Sequence, residues 1–331
     1  MTLSLSIPGT QVIDERHGPQ GWLAVVDSPQ VPLRIAPGMS ISMPRALPEQ
    51  RGLFIDGEGP LAINRLQSAD DLAYLDALPT TLVYTLSTPS SVFIAGAGGG
   101  MAIQQAWRAG AERIVVAEAN AQLIELLTRD MADYWGWPLL QSRVELLHAD
   151  SRGAMESGDT RFDLVLLPGQ VQGGSSLGAY WYTVEALQSC LAHLAPDGLL
   201  AIALESRTPP RETLKLVATA ARALGQQAPA GHVALLRGWR SALLLVRNDP
   251  WPAERLNAIR AQADARGFDL AWLPGMTSGE ANRFHVLREA YFHDAARALL
   301  GAGAADFMRD YKFELRPATD DRPFFEHFFK W

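Results

Sequence analysis

The four residues Gly238–Ser241 limit the fold of this chain more than any other feature. They separate two apolar runs, His232–Arg237 and Ala242–Arg247. Four residues are too few for the crossover that parallel neighbours require, so the two runs must pair as an antiparallel hairpin. Upstream the rhythm differs. Val92–Ala95, Arg113–Glu118, Val144–His148, Phe162–Leu167 and Leu199–Leu204 are nearly continuous apolar runs, as expected of parallel strands covered on both faces. Helical patterns fall between or after them at Met101–Ala109, Ala121–Tyr134, Ala179–His193 and Pro209–Leu224. The last opens on two prolines after Thr208, which suit a first helical turn because its N–H groups have no intrahelical partner to lose.

Five parallel strands closed by an antiparallel hairpin predict an α/β, doubly wound, Rossmann-like sheet of the class I methyltransferase type. Residues 1–90 read as a small β-rich region, with strands at Leu23–Asp27, Leu33–Ala36 and Gly52–Asp56 and a hairpin turn at Asp56-Gly57-Glu58-Gly59. Ser68 followed by Asp70 and Asp71 reads as a helix start. The nucleotide-binding domain is expected at 91–248, and 249–331 reads as a mostly helical extension with an aromatic tail. The net charge of −7 argues against nucleic acid as a partner. The single cysteine, Cys190, excludes an intrachain disulfide and a cysteine-cluster metal site. No run is long and apolar enough to suggest a membrane span, and the first residues lack the pattern of a secretory signal. A cytoplasmic protein acting on a small molecule is the expectation, with a homodimer compatible. The seven histidines have no metal-ligand spacing, so no metal is expected.

Gly96-Ala97-Gly98-Gly99-Gly100 stands where the first parallel strand turns into a helix. Glycine there allows a tight turn and a close approach of backbone to ligand. Glu118 closes the next strand, 22 residues after Gly96, where a carboxylate can accept hydrogen bonds from both hydroxyls of a ribose. A dinucleotide fingerprint would place a third glycine at position 101, which is Met101. Asp150, followed by Ser151, comes just after the third strand, where S-adenosylmethionine (SAM) enzymes often set an acid beside the adenine. The cofactor-side residues are therefore Gly96, Gly98, Gly99, Gly100, Glu118, Asp150 and Ser151, and the co-substrate is SAM or decarboxylated SAM.

From about Arg51 to Arg247 these residues resemble the spermidine synthase family, the polyamine aminopropyltransferases. Phe93–Gly100 looks like the family's glycine loop, Val115–Glu118 like its ribose-binding strand end, and Ala149–Arg152 like its adenine-side motif. Phe162–Leu167 is similar to the strand leading into its catalytic loop. Tyr180–Ala186, Pro209–Leu214 and Ala318–Phe325 look like the soluble part of bacterial membrane-fused spermidine-synthase-like proteins. The resemblance implies two aspartates after the fourth strand, to hold and deprotonate the attacking amine. The matching stretch, Pro168–Gly174, contains no acid, and the family's Tyr-His-Glu stretch finds only Tyr84-Thr85-Leu86. Conversion of putrescine to spermidine is accordingly expected to be weak or absent.

Four readings follow. The leading one is alkyl transfer, methyl first, from a SAM-type sulfonium to a small nucleophile, since such chemistry rests more on in-line placement than on a strong base. The second is aminopropyl transfer with carboxylates recruited from Asp56, Glu58, Asp320 or Asp321. The third is internal cyclisation or elimination of the donor, and the fourth a non-catalytic nucleotide-binding regulator. Candidate catalytic residues are Asp320, Asp321, Tyr182 and Glu185. Tyr180 falls on the apolar stripe of the expected helix, whereas Tyr182 and Glu185 fall off it. Phe324, Phe325, Phe328 and Phe329 are expected to be buried, either as a clasp in which Arg322 pairs with a neighbouring aspartate or so as to carry Asp320 and Asp321 to the mouth of the site.

Overall fold

The computed structural model describes residues 6–43, 45–169, 180–225 and 228–330. Part of the acid-free stretch after Pro168 lies outside them. The chain opens with an antiparallel sheet in the order β1 (Gln11–Gly18), β2 (Gly21–Asp27), β3 (Gln50–Ile55), β4 (Glu58–Asn64). Asp56 and Gly57 make the β3–β4 turn, both at positive φ. β1 carries no apolar signal because it is a largely exposed edge, QVIDERHG. The expected strand at Leu33–Ala36 is irregular: the Gln50 amide takes a neighbour's place, accepting from Ile35 N at 2.7 Å and donating to Ile35 O at 3.0 Å. A 3-10 helix at Ala69–Ala77 starts with a capping box between Ser68 and Asp71, and α1 (Thr81–Ser87) follows.

The second sheet has, among the described residues, eight strands. They are β5 (Ser91–Ala95), β6 (Arg113–Glu118), β7 (Val144–His148), β8 (Phe162–Leu167), β9 (Leu194–Glu205), β10 (Val233–Gly238), β11 (Ser241–Val246) and β12 (Asp269–Trp272). Their order is β12-β10-β11-β9-β8-β5-β6-β7. β5 to β9 run parallel, and β10 and β11 pair antiparallel with Gly238 opposite Ser241. The doubly wound fold is as expected. One strand is not: β12 joins β10 antiparallel, so the extension after residue 248 is not purely helical. Its Asp269 is buried and held by Arg237 at 2.5 Å and by three backbone amides.

Alternate residues of the strands face two apolar layers. Val92 and Ile94 pack on the layer shared with the N-terminal sheet and with α2 (Met101–Arg108). Phe93 and Ala95 pack on the layer that holds α5 and α6, described below. Three helix limits differ from expectation. Ala121–Tyr134 breaks after α3 (Ala121–Glu125) into a wide π-type turn, where Met131 N donates to Leu126 O and the Trp135 indole donates to Leu127 O. After α4 (Ser151–Glu156) and β8, the helix expected from Ala179 is α5 (Val184–Ala192), capped by Thr183 and preceded by a 3-10 turn, Tyr180–Tyr182. α6 spans Glu212–Ala223, without the prolines, because a residue preceding proline is driven out of the α region and both Thr208 and Pro209 precede one. α7 (Ala253–Arg266), α8 (Tyr291–Leu299) and α9 (Ala304–Asp310) complete the fold. Among the described residues no helix is long and apolar enough to cross a membrane.

Candidate active site

Three strand ends meet at the carboxyl edge of the large sheet. The glycine loop leaves β5, with Gly96 N bonded to Ala117 O at 2.9 Å. Glu118 ends β6 and ties the edge together: its carboxylate accepts from Ala97 N at 2.9 Å and Asn120 N at 2.8 Å, and its carbonyl accepts from Ala149 N at 3.1 Å. Burial raises its pKa above the usual carboxylate range, and those amides oppose the rise. Asp150 follows β7 and caps α4 through Gly153 N at 2.7 Å, while remaining exposed. Ser151 is buried, its hydroxyl donating to Ala117 O at 2.6 Å, so it anchors α4 to β6. The glycine loop, Glu118 and Asp150 thus line up along neighbouring strands.

The glycines divide by task. A Cβ on Gly99 would lie 2.1 Å from the carbonyl oxygen of Ala62, and one on Gly100 would lie 2.7 Å from the Trp135 ring. These two let β4 press on the loop, where Ile63 bridges Gly100. Gly98, at φ +50, has no neighbour nearer than Leu61 at 3.7 Å and leaves its side of the loop open.

A cleft of about 510 Å³ adjoins this edge. One wall is the N-terminal region, with Ile35, Glu58 and Leu61. The opposite wall is formed by the ends of β8 and β9 and the β10–β11 turn, with Pro168, Glu205, Arg207, Trp239 and Arg240. Met101 and Ala102, the first residues of α2, line it as well, so the cleft borders the glycine loop. Glu205 is paired to Arg240 at 2.5 Å and Arg207 at 3.6 Å. Glu58 has no ion pair among the described residues and is exposed. Sequence reading had missed Glu205, Arg207, Trp239 and Arg240, which stand at a strand end and a hairpin turn and match no motif.

Of the four carboxylates considered for recruitment, only Glu58 lines the cleft. Asp56 holds Trp22 N at 2.8 Å. Asp320 is bound by Arg152 at 2.8 Å and by the Thr183 hydroxyl at 2.7 Å, and Arg152 holds its carboxyl below the usual range. Asp321 is exposed and does not line the cleft. Glu185 accepts from Asp320 N at 3.0 Å. Tyr182 is buried and stacked on Phe325 with ring centroids 4.6 Å apart, and burial pushes its phenol up to about 12. Tyr180, expected in the core, is exposed instead. The shorter α5 explains this exchange, because both tyrosines lie in the turn before the helix.

Asp320, Glu185 and Tyr182 belong to the seam between the tail and the α5 region, and Asp321 follows them on the tail. The tail bonds Val184 N through Ala318 O at 2.9 Å and Lys215 Nζ through the carbonyls of Phe324 and His327, both at 2.9 Å. Phe325 and Phe328 are buried, whereas Phe324 and Phe329 are exposed, against the expectation that all four would be covered. Only the middle two of the four rings reach the core, and Phe324 turns its carbonyl to Lys215. The clasp's ion pair comes from Arg152, not from Arg322. Phe325 packs in the layer opposite the one shared by α2 and the N-terminal sheet, so the tail docks away from the cleft. Among the described residues no cluster of three or more His, Cys, Asp or Glu could hold a metal.

No protein-family model matches the chain. Polyamine aminopropyltransferase 2 from Hyperthermus butylicus is 23% identical over 161 residues, covering 48% of this chain. The chain thus spans about half the length, 50%, of that curated relative. Among solved structures, spermidine synthase in complex with the transition-state analogue AdoDATO superposes with a TM-score of 0.53 at 15% identity, over 74% of this chain and 76% of the other. A probable spermidine synthase from Corynebacterium glutamicum gives 0.51 at 17% identity, over 76% and 87%. Spermidine synthase from Thermotoga maritima gives 0.50 at 16%, over 74% and 75%. The mixed α/β architecture is that of these solved structures, and over about half its length the chain is similar in sequence to a polyamine aminopropyltransferase.

Proposed function

We propose that this chain is an aminopropyltransferase that takes decarboxylated SAM as donor and passes its aminopropyl arm to a small amine in the cytoplasm. The carrying observation is the juxtaposition of a glycine-loop, Glu118 and Asp150 edge with a cleft of about 510 Å³. The likeness to spermidine synthases supports the donor. It favours the second of the sequence-based readings over methyl transfer, for which the comparisons give no support. Gly96, Gly98 and the rest of the loop would hold the donor's arm side, Glu118 its ribose hydroxyls and Asp150 its adenine.

In the reaction the acceptor's neutral nitrogen attacks the propyl carbon next to the sulfonium. The C–N bond forms as the C–S bond breaks, and the electron pair passes to sulfur, leaving neutral methylthioadenosine. The new ammonium gives its proton to a carboxylate. Glu58 is the cleft acid without an ion pair among the described residues, and it is the proposed acceptor of that proton.

Mass spectrometry of the sulfur product tests the reading. Purified protein with decarboxylated SAM and a mixture of amines should release methylthioadenosine only when an amine is present. S-adenosylhomocysteine from SAM would instead mean methyl transfer, amine-independent release an internal reaction, and binding without turnover a regulator.

A further inference from the structure

The charges around the cleft do not suit a simple diamine. Glu58 stands across the cleft from Glu205, Arg207 and Arg240. A diamine would bring two positive charges to a lining that sums to zero, and desolvated charges without partners are costly. The lining is also polar in the sense of having two ends. Glu58 stands on the N-terminal wall. On the far wall Glu205 is shared by Arg207 and Arg240, and Arg207 also reaches Glu212 at 3.4 Å, which Arg211 already pairs at 2.9 Å. That cluster holds three guanidinium groups against two carboxylates, an excess of one positive charge. The lining also includes Ile35, Leu61, Leu78 and Pro79, apolar surface fit for a methylene chain.

From this lining, and resting on the proposed aminopropyl transfer, we infer that the acceptor is an amino carboxylate with a terminal amine. Its carboxylate lies toward Arg207 and Arg240, whose planar donors match it bidentately, and its attacking amine lies toward Glu58. The nitrogen of that amine forms the new C–N bond, and its proton leaves to Glu58 as above.

Ornithine and putrescine are the decisive probes, because they share a four-carbon diamine spacing and ornithine adds a carboxylate. With the full chain and decarboxylated SAM, kcat/KM for methylthioadenosine release should favour ornithine by about tenfold or more, equivalent to about 1.4 kcal/mol. The ratio should fall toward unity in Arg207→Gln/Arg240→Gln. Should the double variant not fold, calorimetry on the wild type saturated with methylthioadenosine decides, with ornithine expected to bind more tightly than putrescine. Preference for putrescine, or a ratio unmoved by the double variant, would overturn the inference while leaving aminopropyl transfer standing. Absence of transfer to every amine would sink both.

Discussion

Glu118 holds the glycine loop with its carboxylate and, under the proposed function, offers its remaining lone pairs to the donor's ribose. Replacing it with Ala should weaken binding of decarboxylated SAM by about 1.5–3 kcal/mol, the scale of hydrogen bonds to a charged group, as read by titration calorimetry; unchanged affinity would remove the ribose assignment. Lys215 gives a second residue-scale test. Burial lowers its pKa from 10.5 to about 8, although its ammonium is surrounded by two carbonyls and by the rings of Phe325 and Phe328. A base with a depressed folded-state pKa destabilises the fold while the folded form must carry the proton. Its cost is full below the folded value and relieved as pH rises from there toward the unfolded value. The melting temperature of wild type relative to Lys215→Met should therefore increase from about pH 7 to about pH 10; a flat or falling difference would mean that the carbonyls and rings outweigh burial. At this scale the positions of Glu118, at the end of β6, and Asp150, just after β7, were legible because strand ends mark themselves in sequence. Tyr182 and Tyr180 were not, since the helix begins five residues later than expected, at Val184, which leaves both tyrosines in the turn before it and exchanges their inward and outward positions.

The tail illustrates what an element adds. Its clustered aromatics announced docking, but not which rings would be covered. Phe325 is 2% exposed and stacks on Tyr182, whereas Phe324 is 64% exposed. Phe325→Ala should thus destabilise by about 3–5 kcal/mol, and Phe324→Ala by no more than about 0.5 kcal/mol, in urea unfolding. Equal effects would contradict the docking described. Apolar periodicity located β6, β7 and β8 to the residue and the β10–β11 hairpin to within one. It failed at β1, an exposed edge, at β12, a four-residue strand whose pairing is long-range, and at the π-type turn, where local bonds to the carbonyls of Leu126 and Leu127 interrupt a continuous helical pattern.

Across the whole molecule, the cleft depends on one sheet seated against another. A buried polar chain fixes that seat: Gln50 donates to Asn64 at 2.9 Å, Asn64 to Gln104 at 2.7 Å, Gln104 to Trp135 O at 3.0 Å, and Tyr74 to Asn64 at 3.1 Å. Such a network is costly if incomplete and orienting when satisfied, and here it joins β3 and β4 to α2 just beyond the glycine loop. Nothing in local patterning shows it, because each member is an ordinary polar residue until the fold brings them together. The same docking brings Glu58 opposite Glu205, Arg207 and Arg240. The central claim is that the propyl arm moves from sulfur to nitrogen. The most direct measurement is NMR of decarboxylated SAM carrying carbon-13 at the propyl carbon next to sulfur, incubated with the protein and an amine. This resonance should shift to that of a carbon bonded to nitrogen as methylthioadenosine accumulates in equal amount. Label that stays on sulfur, or that leaves it without joining the amine, would contradict the central claim.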